Sequence, residues 1–257
     1  MASFRSGGLT LAYDDIRPAG NLNGTVVLAH GFATNRAENW KRLGWYAAFE
    51  RRGYRVVAPD LRGHGASDKP HDPAAYGRAD MADDLLRLMD HLKLGKIELM
   101  GYSLGAHLGA AAAIEEPGRI ANLILGGVGA RMLGQETLSS STMTLAAAMR
   151  AEDATAITDP ILKGFRQFAE NQGEDRLALA ACSEAGSGGG TQDVGRLAMP
   201  VVVIAGDLDE IAGDPYALAA AIPGAKAVSL PACDHFSAIP HALFKAAVFD
   251  FLDGWEE

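Results

Sequence analysis

The chain has 257 residues, 48% of them hydrophobic, which is enough for one sizeable core with room for a small inserted subdomain. A formal net charge of -9 leaves no basic footprint for nucleic acid or anionic lipid, and two cysteines, Cys182 and Cys233, are too few for a disulfide framework. No apolar h-region opens the chain and no apolar run approaches membrane-spanning length, so the expectation is a soluble cytoplasmic protein with no nucleic-acid or membrane partner.

Leu9-Thr10-Leu11-Ala12-Tyr13 alternates as an edge strand does, and residues 18–24 are turn-rich. Thr25-Val26-Val27-Leu28-Ala29 is a continuous β-branched run, the pattern of a strand buried on both faces, and it ends in His30-Gly31-Phe32. A helix is expected from about 39 to 52, stopped by Gly53, followed by a strand at 54–58 and the loop Asp60-Leu61-Arg62-Gly63-His64-Gly65-Ala66-Ser67. Met81, Leu85, Leu88, Met89 and Leu92 keep a helical stripe between 76 and 94, closed by Gly95. Strands follow at 97–100, 120–125, 201–205 and 227–230, with an Ala-rich helix at 106–114 and a closing helix at 242–252.

Strands that alternate with helices define an α/β protein with a mostly parallel central sheet flanked by helices. Residues 130–197 break that rhythm. Met143, Leu145, Met149, Phe165 and Phe168 lie in segments of helical character, and a glycine-rich stretch at 187–190 leads back. The expected organisation is therefore a core of residues 1–129 and 198–257, with 130–197 inserted as a small helical cap that roofs a pocket.

The centre of the pattern is Gly101-Tyr102-Ser103-Leu104-Gly105, set between a short apolar strand and a helix, as a G-x-S-x-G elbow requires. A sharp strand-to-helix turn holds the Ser103 hydroxyl clear of the backbone, and flanking glycines leave room for it. A serine is a poor nucleophile until an oriented base takes its proton. Acid candidates follow the strand at 201–205, in Gly206-Asp207-Leu208-Asp209-Glu210, with Asp214 beyond; a base candidate, His235, follows the strand ending at Leu230. Functional groups gather at the carboxyl ends of strands in such sheets, so these loops converge.

In this order the motifs make the chain resemble an α/β-hydrolase fold serine hydrolase, of the carboxylesterase or lactonase kind, over essentially its whole length. The resemblance carries the nucleophile onto Ser103, the acid onto Asp209 and the base onto His235. It implies an oxyanion hole from the backbone N–H groups of Phe32 and Leu104, and no cofactor. Ala106 stands where the family often has a second glycine after the elbow. His30 is expected to hold the oxyanion loop, His64 to order its own loop, Asp234 to shape the loop beside the base, and His107 to pack behind the elbow. His71, His91 and His241 read as surface or packing residues. No cysteine occupies the elbow, and the histidines lack metal-ligand spacing.

The activity implied is hydrolysis of a small-molecule ester or lactone through an acyl-enzyme. Carboxylesters of small to medium acyl groups are favoured; lactones and enol-lactones come next, then carbon–carbon cleavage or a slow-turnover ligand receptor. Haloalkane dehalogenases and epoxide hydrolases of this fold use an aspartate at the elbow, and Ser103 cannot form their alkyl-ester intermediate. A neutral imidazole base predicts activity that falls on the acid side, in the range of about 6 to 7.

Overall fold

The computed structural model describes residues 2–134, 143–186 and 193–254, so the glycine-rich return at 187–190 lies outside the described residues. One sheet has the order β1-β2-β4-β3-β5-β6-β7-β8. Its strands are β1 (Ala2–Ser6), β2 (Leu9–Ile16), β3 (Gly24–Ala29), β4 (Tyr54–Pro59), β5 (Ile97–Tyr102), β6 (Ile120–Gly126), β7 (Val201–Gly206) and β8 (Lys226–Leu230). The first two pairings, β1 with β2 and β2 with β4, are antiparallel, and every later one is parallel. The sheet is mostly parallel, as the alternating pattern predicts.

Alternation along the strands sorts the core into two layers, because successive side chains point to opposite faces. Val27, Val57, Leu99, Leu123 and Val203 pack on one face, with Met81, Leu85 and Leu88 of α2 (Arg78–His91) and Leu104 and Leu108 of α3 (Leu104–Glu115). Val26, Leu28, Val56, Met100 and Val202 pack on the other, against Trp45 and Phe49 of α1 (Trp45–Arg51) and Phe244 and Val248 of the last helix (Ala242–Leu252). Trp45 is the hub of that layer, with ring contacts to Trp40, Phe49, Phe244 and Phe249.

Two local expectations differ from the structure, and one element is not anticipated by the sequence pattern. The helix expected over 39–52 is split: a π-helical turn at Ala37–Lys41 precedes α1, and Gly44 between them sits at φ 76°, outside helical geometry. β1 has no apolar run to announce it, yet it pairs along its length with β2, which is therefore not an edge. Between β7 and β8 lies a short helix, α7 (Pro215–Ala220), capped by the Asp214 carboxylate.

Between β6 and β7 the described residues form α4 (Leu145–Arg150), α5 (Pro160–Gln172) and α6 (Arg176–Glu184), in chain order. Thr144, Asp159 and Asp175 cap them, each accepting from backbone N–H groups of the first turn. Buried Arg166 ties α5 to the end of α4 by donating to the carbonyls of Ala148 and Ala151 at 2.8 and 2.7 Å. Glu174, just past α5, accepts from Asn35 Nδ2 and Gly65 N–H, both at 2.9 Å. It thereby fastens these helices to the loops after β3 and β4. The closing helix, α8 (Ala242–Leu252), returns the chain to the Trp45 layer.

Candidate active site

β5 ends in the elbow. Ser103 has φ 52° and ψ -115°, an unfavourable conformation for a residue with a Cβ, and its N–H donates to Gly126 O at 2.8 Å. The turn is tight enough that glycine is required beside it. A Cβ on Gly101 would stand 2.3 Å from Gly105 O, and one on Gly105 would stand 2.1 Å from Ala29 O. Helix α3 can therefore leave the sheet directly over β3 and β5 only because those two side chains are missing. The Gly126-Gly127 pair does a similar job for the Tyr102 ring, which a Cβ at either position would meet within 3.0 Å.

The parallel pairing of β3 and β5 sets Ala29 opposite Gly101, which brings the His30-Gly31-Phe32 loop alongside Ser103. His30 is fully buried; its Nδ1–H donates to Gly31 O at 2.7 Å and its Nε2 accepts the Leu61 N–H at 2.9 Å. Burial, with His64 nearby, holds its pKa well below the ordinary histidine value, so it is a neutral strut of the loop. No hydrogen bond among the described residues engages the N–H of Phe32 or of Leu104, the first residue of α3.

β7 and β8 deliver the other two groups. Asp209, 4% exposed, accepts from the N–H groups of Ile211 and Ala212 through Oδ1, at 3.0 and 2.9 Å. Its Oδ2 lies 2.9 Å from His235 Nδ1. A carboxylate accepts, so Nδ1 carries the proton and Nε2 is left as an acceptor. That Nε2 is 3.0 Å from Ser103 Oγ. The structure thus brings Ser103, His235 and Asp209 into one hydrogen-bonded chain, whereas Asp207 and Glu210 are exposed and Asp214 caps α7. Asp234 accepts from the Phe236 and Ser237 N–H groups at 3.0 and 2.8 Å, shaping the loop that carries His235.

Two further residues shape the site: Tyr102, which the sequence does not single out, and Phe165, one of the apolar residues of the segment expected to roof a pocket. Tyr102 donates its hydroxyl to the His235 carbonyl at 2.6 Å, tying the elbow to the loop that carries His235, and burial raises its pKa far above the ordinary phenol value. Phe165 of α5 packs edge-on against both Phe32 and His235. Apart from these, His64 donates from Nδ1 to the Arg62 carbonyl at 2.9 Å, and burial lowers its pKa to about 4. His107 is likewise lowered to about 4 by burial, then by Arg78 and His235. His71 meets Asp175 at 3.0 Å, His91 stacks on Phe4, and His241 caps α8. Among the described residues no group of three His, Cys, Asp or Glu side chains is placed to hold a metal ion. No helix among them is long and apolar enough to cross a membrane.

A cavity of about 210 Å³ opens over Ser103 and His235. Phe32, Phe165, Phe168, Phe236 and Ile239 give it apolar walls.

Sheet topology, elbow and cavity define an α/β-hydrolase, and the family comparison agrees. A family model for the alpha/beta hydrolase fold matches residues 24–181, and the chain belongs to that family. Among curated proteins, it is similar to 2-hydroxymuconate semialdehyde hydrolase of Pseudomonas putida, 30% identical over 245 residues that cover 88% of this chain and 86% of the relative. Among solved structures, a hydrolase from Pseudomonas aeruginosa is 28% identical with a TM-score of 0.79, covering 98% of this chain and 97% of that one. The enol-lactonase from Burkholderia xenovorans is 26% identical with a TM-score of 0.76, covering 98% of this chain and 100% of that one. The first curated relatives are matched over less than half of their own length, from 28% to 41%.

Proposed function

We propose that this hydrolase cleaves small to medium carboxylic esters by two-step acyl transfer through Ser103. The observation that carries the reading is the unbroken chain from Ser103 Oγ through His235 to buried Asp209. His235 Nε2 takes the serine proton as Oγ attacks the ester carbonyl, and Asp209 holds the tautomer and stabilises the imidazolium. The N–H groups of Phe32 and Leu104 receive the oxyanion, each such donor contributing roughly 10² to 10³ in rate. His235 then protonates the leaving alcohol, and water repeats the attack on the acyl-enzyme. Residues 130–197 act as the cap, with Phe165 and Phe168 roofing the acyl group.

A second reading is lactone or enol-lactone hydrolysis, which uses the same groups. The likeness to an enol-lactonase along the whole chain supports it. Carbon–carbon cleavage ranks behind both, supported by the likeness to the semialdehyde hydrolase.

The test is steady-state hydrolysis of p-nitrophenyl esters from acetyl to long-chain acyl, with Ser103→Ala alongside. Turnover should peak at short to medium chains and fall by roughly 10⁴ or more in the variant. Turnover of lactones but not esters would select the second reading. Folded protein that turns over neither would defeat both.

A further inference from the structure

The N–H of Phe32 belongs to the Gly31–Phe32 peptide, which lies beside the nucleophile: a Cβ on Gly31 would stand 3.6 Å from Ser103 Cβ. A trans peptide is planar, with its C=O and N–H pointing in opposite directions, so whatever holds the Gly31 carbonyl also aims the Phe32 N–H. His30 Nδ1–H holds that carbonyl at 2.7 Å, and Asn39 Oδ1 accepts the Gly31 N–H at 3.4 Å. The aim of the Phe32 amide therefore depends on what fixes His30 and Asn39.

Neither is fixed by its neighbours alone. His30 Nε2 accepts the Leu61 N–H at 2.9 Å, from the loop after β4. Asn39 sits in the π-helical turn, whose start Asn35 organises. Asn35 Oδ1 accepts the N–H groups of Ala37 and Glu38, both at 3.1 Å, and its backbone carbonyl accepts the Asn39 N–H at 2.9 Å. Buried Asp60, next to Leu61, accepts the Arg36 N–H at 2.9 Å and the Ala66 N–H at 2.7 Å, joining the two loops.

Both lines lead to Glu174, between α5 and α6 and only 8% exposed. Its Oε1 accepts from Asn35 Nδ2 and its Oε2 from the Gly65 N–H, each at 2.9 Å. A buried carboxylate is costly unless its oxygens are paired, and an apolar side chain would glue a cap to a core at least as well. What the carboxylate adds is direction, since each oxygen fixes one donor on one loop.

We propose that Glu174 is a positioning residue of the hydrolase, holding the loops after β3 and β4 in the arrangement that aims the Phe32 N–H at the oxyanion. This rests on Ser103 being the nucleophile and Phe32 an oxyanion donor. The cap then contributes to the catalytic geometry as well as to the walls of the cavity.

A compensating pair of substitutions tests it. Glu174→Gln keeps the size of the side chain but turns one accepting oxygen into a donor that faces an N–H. With a p-nitrophenyl ester, kcat per Ser103 labelled at completion by a fluorophosphonate should fall roughly tenfold, a fraction of the roughly 10² to 10³ that a whole oxyanion donor supplies, and KM should stay within about twofold. Asn35→Asp alone sets two carboxylates against each other and should be similarly impaired. In the double variant the new amide donates to the new carboxylate and every other N–H keeps its acceptor, so kcat should return to within about threefold of wild type.

A trifluoromethyl ketone reads the oxyanion directly. Ser103 Oγ bonds to its carbonyl carbon, the C=O π pair becomes the oxyanion, and His235 Nε2 takes the serine proton. Inhibition by it should weaken in Glu174→Gln by the factor lost from kcat, whereas the plain methyl ketone, which forms no such adduct, should bind alike. Unchanged kcat in Glu174→Gln, a loss that falls on KM, undiminished trifluoromethyl ketone inhibition, or a double variant no better than the singles would overturn the assignment. Wild-type protein that neither turns over esters nor forms the adduct would instead defeat the reading of Ser103, and the assignment with it.

Discussion

Ser103 is held at φ 52° by its surroundings, since such backbone conformations cost on the order of 1–3 kcal/mol and persist only where packing over-determines them. Much of that constraint comes from Gly101 and Gly105, whose missing side chains let α3 pass within contact of β3. Gly105→Ala would force a Cβ into the Ala29 carbonyl. The expected outcome is a loss of roughly 1–3 kcal/mol or more in urea denaturation, with turnover lowered because the elbow shifts. Unchanged stability would mean that the close approach is not needed. The same residues explain what is legible at this scale. The elbow and the loops holding the acid and base candidates are readable, because strand ends and glycine spacing are written locally, whereas the choice of Asp209 over its neighbours comes from the resemblance to the family. The part played by Tyr102 is not readable. A phenol reaching a carbonyl 133 residues away is a tertiary property of a residue that looks ordinary in sequence.

At the scale of elements, the apolar strands and the α2 stripe are legible from periodicity, since burial on both faces or one face leaves a direct trace in the chain. β1 is not, because Ala2-Ser3-Phe4-Arg5-Ser6 buries only Phe4 and Ser6 and gains its place by pairing with β2. The split of the 39–52 helix is hidden because a single glycine, Gly44, admits several conformations until Trp45 is seen turned into the core. Helix α5 is the element that shapes the cavity, through Phe165 against Phe32 and Phe168 against Phe236. Phe165→Ala would enlarge the cavity beside His235. The preferred acyl chain should then lengthen, measured as kcat/KM across the ester series. A uniform loss at every chain length would instead make Phe165 a support for His235 alone.

For the molecule as a whole, the buried histidines couple stability to pH. His64 has a pKa lowered to about 4 from an ordinary value of 6.5, so the folded state binds its proton less readily than the unfolded chain. Its contribution is complete above about pH 6.5 and is lost as pH falls toward 4, up to about 3 kcal/mol in all. His30 and His107 act in the same direction. Asp60 and Glu174, raised by burial, act in the opposite one, their contribution fading as pH rises through their folded values. His64→Gln removes one titrating group without adding a charge. Its urea midpoint should fall less steeply than wild type between pH 6.5 and 4, and parallel profiles would refute the assignment.

The central claim is that His235 and Asp209 make Ser103 a nucleophile. Its most direct test is reaction of the native protein with a fluorophosphonate, followed by intact mass and peptide mapping. One adduct per chain is expected, on Ser103, formed far more slowly when His235 is replaced by alanine and absent in Ser103→Ala. An adduct on another residue, or none on folded wild-type protein, would contradict it.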